Sequence, residues 1–169
     1  MSRAFLAGTA LAFGLAGTAQ ADTVTRLAQV PAGMGCHLSI PTVETAVRPR
    51  ATGFRNEGTA SVFAICGIQD PVQGAVSEAT ITFYSLDGKP HTFSCTGVNG
   101  WPDEGHYLYS TKSVTATSPT SRTSLVFEPT DFGGTGTMPQ DGFMTVTCAL
   151  PPNVSVGTMS MHYSKDIGS

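Results

Sequence analysis

Charge is scarce in this chain: lysine, arginine, aspartate and glutamate make up 12% of its 169 residues, and there is a single tryptophan. Nine basic residues stand against twelve acidic ones, for a formal net charge of −3, and neither sign gathers into a cluster along the sequence. A surface salted so thinly excludes the dense cationic face that nucleic acid or an anionic bilayer requires. Helical periodicity is missing too, because beyond residue 21 no window of eleven carries apolar residues at i, i+3, i+4 and i+7. HExxH, HxH and Gly-x-Ser-x-Gly are absent, and the glycine-rich stretch Gly133-Gly134-Thr135-Gly136 ends in neither Lys-Ser nor Lys-Thr. These gaps exclude the zinc-protease helix, the nucleophile elbow of α/β-hydrolases and the phosphate cradle. His37, His91, His106 and His162 stand at no ligand spacing and the methionines form no cluster, so neither a metal nor a cofactor is expected.

What is present begins with the first residues. Arg3 is followed by an uncharged apolar run from Ala4 to about Gly17 and then by Ala19-Gln20-Ala21, the three regions of a secretory signal peptide. The run is too short and too rich in glycine and alanine for a membrane span, so no stable membrane insertion is expected after cleavage behind Ala21. Residues 1–21 are therefore read as the signal peptide, 22–35 as an N-terminal linker or edge segment and 36–169 as a single domain. Removal of 21 residues from 169 leaves 148, with eight basic against twelve acidic residues and a net charge of −4. A chain of that size buries a core large enough for one domain. The expected location is the periplasm or the extracellular space.

Strand signals dominate this part. Thr59 to Ile68 is a near-continuous apolar run, as expected for a strand covered on both faces. Ala79 to Leu86 and His91 to Val98 follow, and the Asp87-Gly88 pair between them is a hairpin signal. Tyr107 to Thr115, Thr123 to Glu128, Phe143 to Leu150 and Val154 to Tyr163 complete the stronger set; Cys36 to Ile40 and Thr45 to Arg55 are weaker candidates. Gly97 to Gly105 and Asp131 to Gly142 hold the glycine, proline and aspartate of loops. About seven or eight strands with turn chemistry between them predict an all-β fold. The form expected is an antiparallel β-sandwich or flattened barrel, immunoglobulin-like or jelly-roll-like.

Cys36, Cys66, Cys95 and Cys148 lie 30, 29 and 53 positions apart, with no pair at zinc-ligand spacing. In an exported chain an even number of cysteines reads as disulfides. Strand alternation turns Cys148 inward with Met144, Val146 and Leu150, and Cys95 inward with Phe93. A buried thiol flanked by apolar residues has no base to activate it, which argues against catalysis. Of the three connectivities, Cys36 with Cys66 and Cys95 with Cys148 is favoured. The rival bond, Cys66 with Cys148, would copy the inter-sheet bond of immunoglobulin-like domains.

One stretch combines aromatic and ionisable groups: Trp101, Asp103, Glu104, His106, Tyr107 and Tyr109. Stacking and hydrogen bonding from such a loop would suit a glycan or peptide. It also has the composition of a loop anchored by its tryptophan.

Gly35-Cys36, Phe63-Ala64-Ile65-Cys66, Phe93-Ser94-Cys95-Thr96, Cys148-Ala149-Leu150-Pro151-Pro152 and a closing strand ending in His162-Tyr163 span most of residues 30 to 165. In these pieces the chain resembles a group of small exported proteobacterial four-cysteine β proteins. The resemblance implies a periplasmic or secreted β protein and carries no activity with it. Chaperone-assembled pilins also use exported, disulfide-bonded immunoglobulin-like domains. The expected function is that of a non-enzymatic binding or envelope-structural domain whose partner is a protein or a glycan. The alternatives are a small hydrolase of envelope polymer, with its site at Trp101 to Tyr109, and a pilin- or fibre-like subunit.

Overall fold

Met144, Val146, Cys148 and Leu150 are buried while the residues between them are half-exposed, the two-residue period of a strand with one covered face. The same logic builds two sheets. The structure, a computed structural model, describes residues 22–40, 46–68, 74–101, 105–139 and 144–168, with Trp101 described in its backbone alone. The expected signal peptide, residues 1–21, lies outside the described residues.

Eleven strands run through the described residues: β1 (Thr23–Pro31), β2 (Cys36–Leu38), β3 (Val47–Arg50), β4 (Gly53–Asn56), β5 (Val62–Ile68), β6 (Ala75–Ser85), β7 (His91–Trp101), β8 (His106–Ala116), β9 (Thr123–Phe127), β10 (Met144–Leu150) and β11 (Val154–Asp166). A single helical turn, Ala32–Gly35, and a 3-10 turn, Pro129–Phe132, interrupt them. No described helix is long and apolar enough to cross a membrane. One antiparallel sheet has the order β3-β4-β11-β6-β9, with β1 also on β11, and the other has the order β2-β5-β10-β7-β8. Phe54, Ile81, Phe83, Phe127, Met159 and Met161 of the first layer and Phe93, Met144, Val146 and Leu150 of the second form the core between them. Asn56, fully buried, crosses it: its amide nitrogen donates to Leu150 O on β10 and to Ala60 O, both at 2.9 Å, and its oxygen accepts from Gly58 N at 3.0 Å.

Eleven strands correct the expected seven or eight. Thr45 to Arg55 is not one weak strand: β3 and β4 form a hairpin that turns at Ala51-Thr52. Thr23 to Pro31 pairs with Asp166 to Thr158 along its whole length. β1 and β3 lie at sheet margins with mostly outward side chains, and β4 is only four residues long, so none of them displays the apolar alternation that marks a strand. Three further readings change. β5 is covered on one face only, since Ala64, Cys66 and Ile68 are buried whereas Phe63 is 58% exposed. Gly97 to Gly105 is not a loop throughout, because β7 and β8 stay paired as far as Trp101 opposite His106. Gly100 allows this: its φ of 147° and its contact with the His106 carbonyl leave no room for a Cβ. Asp87-Gly88 does not close a hairpin, since β6 and β7 belong to different sheets. The connection crosses from one layer to the other.

That crossing is organised by the Asp87 carboxylate, which lies 2.8 Å from His91 Nε2 and accepts from Lys89 N and Ser85 Oγ, both at 3.0 Å. The His91 contact first, then the Lys89 amide, hold the Asp87 carboxyl well below the aspartate value of 3.8. A depressed carboxylate stabilises the fold fully above its unfolded pKa and loses that contribution as pH falls toward its folded one. Asp87→Asn should therefore melt below the parent protein at pH 7, and the gap should close as the pH is lowered from 5 toward 2. Thermal melts across that range check it; a pH-independent gap would contradict it.

The structure bonds Cys36 to Cys66 and Cys95 to Cys148. Both bridges join directly opposed residues on neighbouring strands of the five-stranded sheet, β2 with β5 and β7 with β10. β5 and β10 are themselves neighbours, so Cys66 and Cys148 have no inter-sheet path between them. At one side of the sandwich Lys112 turns inward from the edge strand β8. Its ammonium donates to Val126 O of β9 at 2.9 Å, pairs with Asp131 and sits 5.6 Å from the Phe127 ring centroid. This single side chain ties the edges of the two sheets together.

Candidate functional site

The outer face of the six-stranded sheet carries outward side chains in ordered rows. Arg48, Arg55, Ser155 and Tyr84 stand opposite one another on β3, β4, β11 and β6. Gln29, Ser160, Thr80 and Val126 form a second row across β1, β11, β6 and β9, and Leu27, His162 and Glu78 a third. Between the first two rows the pairing of β11 with β6 shifts between Val156 and Met159, leaving Gly157 and Thr158 as a bulge. Thr82 holds the bulge closed: its hydroxyl accepts from Thr158 N at 2.9 Å and lies 3.1 Å from the Thr158 hydroxyl.

Two hollows meet at Thr158. One, of about 440 Å³, is walled by Arg55, Tyr84, Ser155 and Gly157, and the other, of about 350 Å³, by Gln29, Glu78, Thr80, Ser124 and His162. Together they make a trough across the strands. The half-exposed Tyr84 ring rests on Gly157, where a Cβ would come within 2.6 Å of the ring edge. Only glycine leaves space for the ring to lie there. The rest of the trough mixes hydroxyls with apolar side chains such as Pro31, Leu86 and Val126 and with Arg122, and Glu78 accepts from Thr80 Oγ1 at 2.8 Å. An aromatic platform among hydroxyl, amide and guanidinium groups suits a ligand with one apolar face and many hydroxyls.

Beside this trough basic residues do cluster, although neither sign gathers along the sequence. Arg50, Arg55 and Arg48 converge on Glu57, with Arg55 Nη1 at 3.6 Å and Arg48 Nη2 at 3.8 Å from its oxygens, and the Arg50 hydrogen bond chiefly holds its carboxyl below the ordinary glutamate range. The sequence separates these arginines by up to seven positions. The β3–β4 hairpin closes that gap.

The residues singled out from the sequence fall elsewhere. Asp103 and Glu104 lie outside the described residues, and of Trp101 only the backbone is described, paired with His106. Tyr107 and Tyr109 share the outer face of β8, 38% and 64% exposed, with ring centroids 6.3 Å apart. His106 is exposed but out of phase with them by one residue, so it faces the other side of the sheet. The tyrosines continue into an uncharged hydroxyl face in which Thr92 meets Thr115 and Thr96 meets Thr111, both at 2.8 Å. Among the described residues no three of His, Cys, Asp and Glu gather as metal ligands. Sequence reasoning missed Tyr84, Arg55, Gly157 and Thr158; the one signal for them was the Gly-Thr step in the otherwise alternating run from Val154 to Tyr163.

No family model matches the chain, and no curated protein matches its sequence. Among solved structures it is similar to a xylan-binding module of carbohydrate-binding family 15, at 11% identity and a TM-score of 0.46, with 83% of this chain and 97% of that one covered. It is also similar to the GH26-CBM35 β-(1,4)-mannanase of Podospora anserina, at 10% identity and a TM-score of 0.45; the match covers 82% of this chain, which spans 28% of that one. The family 11 carbohydrate-binding module of Clostridium thermocellum, solved with a mixed-linked tetrasaccharide, shows 10% identity, a TM-score of 0.36 and coverage of 92% of each chain. At such identities and scores the site is read from its own residues.

Proposed function

We propose that this protein is an exported, non-catalytic binding domain that holds a glycan in the trough of its six-stranded sheet. The observation that carries this reading is the Tyr84 ring laid over Gly157 in a trough whose walls also carry hydroxyl, amide and guanidinium groups. A sugar has an apolar face for the ring and a rim of hydroxyls for Thr158, Ser160 and Gln29. Export is supported by the N-terminal pattern and by two disulfides, which persist in oxidising compartments. The hydrolase reading has its site at Trp101 to Tyr109, where Asp103 and Glu104 lie outside the described residues; in the trough Glu78 is the one carboxylate among the described residues, where a glycosidase needs two about 5 to 10 Å apart. The assembling-subunit reading needs an open strand edge, and on β8 the inward Lys112 is a device that discourages such pairing.

Affinity electrophoresis and calorimetry against a panel of soluble glycans test the proposal. Tyr84→Ala should weaken binding of the retained glycan at least tenfold, about 1.4 kcal/mol, while Tyr84→Phe keeps most of it. A protein that retains no glycan, or a Tyr84→Ala variant that binds unchanged, would sink the reading.

A further inference from the structure

We infer that the glycan is acidic, its anionic group seated on Arg55 and Arg48 at the trough's end; the inference rests on the reading of the trough as a glycan site. Arg48 and Arg55 are directly opposed on neighbouring strands, and like charges so placed destabilise a sheet. A sheet that keeps such a pair needs a counter-charge. Glu57 is the one carboxylate in ion-pair reach of either among the described residues, and it is shared three ways.

Its nearest partner is Arg50, whose Nη2 donates to Glu57 Oε2. Arg55 and Arg48 stand off at 3.6 Å and 3.8 Å, beyond good hydrogen-bond range. Three guanidiniums against one carboxylate leave two positive charges uncompensated within this hairpin, on a chain whose formal net charge is −3. Arg55 Nε is moreover buried and has no hydrogen-bond partner among the described residues. Such a donor is costly to leave unmade, about 1–3 kcal/mol, and buried polar atoms without partners are few in native proteins.

Position decides what the spare charge can meet. Arg55 walls the same hollow as Tyr84, and the two stand in one row with Ser155 between them. A ring stacked on Tyr84 therefore projects its substituents along the row toward two guanidiniums. Planar guanidiniums bind carboxylates and other oxyanions through paired N–H donors, and more strongly than they bind neutral hydroxyls. An acidic sugar satisfies both ends of the row at once. The partial exposure of the arginines, 51% for Arg48 and 31% for Arg55, keeps them in reach of a ligand and exposes the attraction to screening by salt.

Calorimetric titrations with galacturonate and mannuronate oligomers, each beside its carboxyl-reduced neutral counterpart, test this without relying on any variant. At least one acidic oligomer should bind ten times or more tighter than its neutral form, and the preference should shrink as salt is raised from 50 to 500 mM. Arg48→Gln with Arg55→Gln should erase the preference by weakening the acidic oligomer at least ten times more than the neutral one; Tyr84→Ala should weaken both. Circular dichroism melts of the variants confirm that folded protein is being compared. If neutral and acidic forms bind alike and the arginine variants change nothing, the acidic preference is wrong while the glycan site stands. If no oligomer and no glycan of the wider panel binds, both readings fall together. Inorganic phosphate that displaces the acidic oligomer at equal molar concentration would reveal a free-anion site and also overturn the inference.

Discussion

Phe83→Ala lowers the unfolding free energy by about 3–5 kcal/mol, the range for emptying an aromatic core position. Phe83 is fully buried on β6, and its ring meets Phe93 of β7 edge to face, with centroids 4.9 Å apart and planes at 82°. Since β6 and β7 belong to different sheets, this pair is a contact between layers and not within one. Truncation therefore removes transfer energy, opens a cavity between two hydrogen-bonded sheets that cannot close over it, and removes an aromatic pairing worth about 0.5–1.5 kcal/mol beyond its area. Urea titration followed by circular dichroism measures the change. A loss under about 1.5 kcal/mol would mean that the layers collapse onto the gap more freely than this packing implies.

Replacing Cys95 and Cys148 together by alanine should be comparably severe. The bridge closes a loop of 53 residues, for which the chain-entropy account gives about 4 kcal/mol. Both cysteines are fully buried, so two sulfur atoms also leave the core. The Cys36–Cys66 bridge closes a loop of 30 residues and ends on a three-residue edge strand, so its removal should cost less. Equilibrium unfolding of the two double variants gives the ranking directly, and a reversed order would contradict it. Against a typical domain stability of about 5–15 kcal/mol, either Phe83→Ala or the loss of Cys95–Cys148 removes a large share of what holds the fold.

The two layers were legible in the sequence to different degrees. β10 could be read almost residue by residue, because Met144, Val146, Cys148 and Leu150 alternate with residues that face outward. The same alternation turned Cys95 and Cys148 inward. β1 was legible only as a linker or edge segment: six of its nine residues are exposed, Leu27 at 54%, so no buried alternation marks it as a strand. The trough was illegible for a related reason. Threonine, serine and glycine at its walls have the composition of turns, and only pairing between strands distant in sequence assembles them into rows. The arginine cluster likewise depends on a hairpin whose turn, Ala51-Thr52, was hidden inside a single weak strand. Tyr84 was visible as a residue of a strand, but nothing local could show that residue 157 lies beneath its ring.

The central strand of the six-stranded sheet is β11, the last strand described, and it is the one on which β1, β4 and β6 all dock. A nascent chain that ends before Val154 thus lacks the strand that joins β1, the β3–β4 hairpin and the β6–β9 pair into one sheet, whatever has formed in the other layer. The trough is in this sense assembled late: it comes into being only when β11 slides between elements made long before it, a long-range closure of the kind that folds slowly.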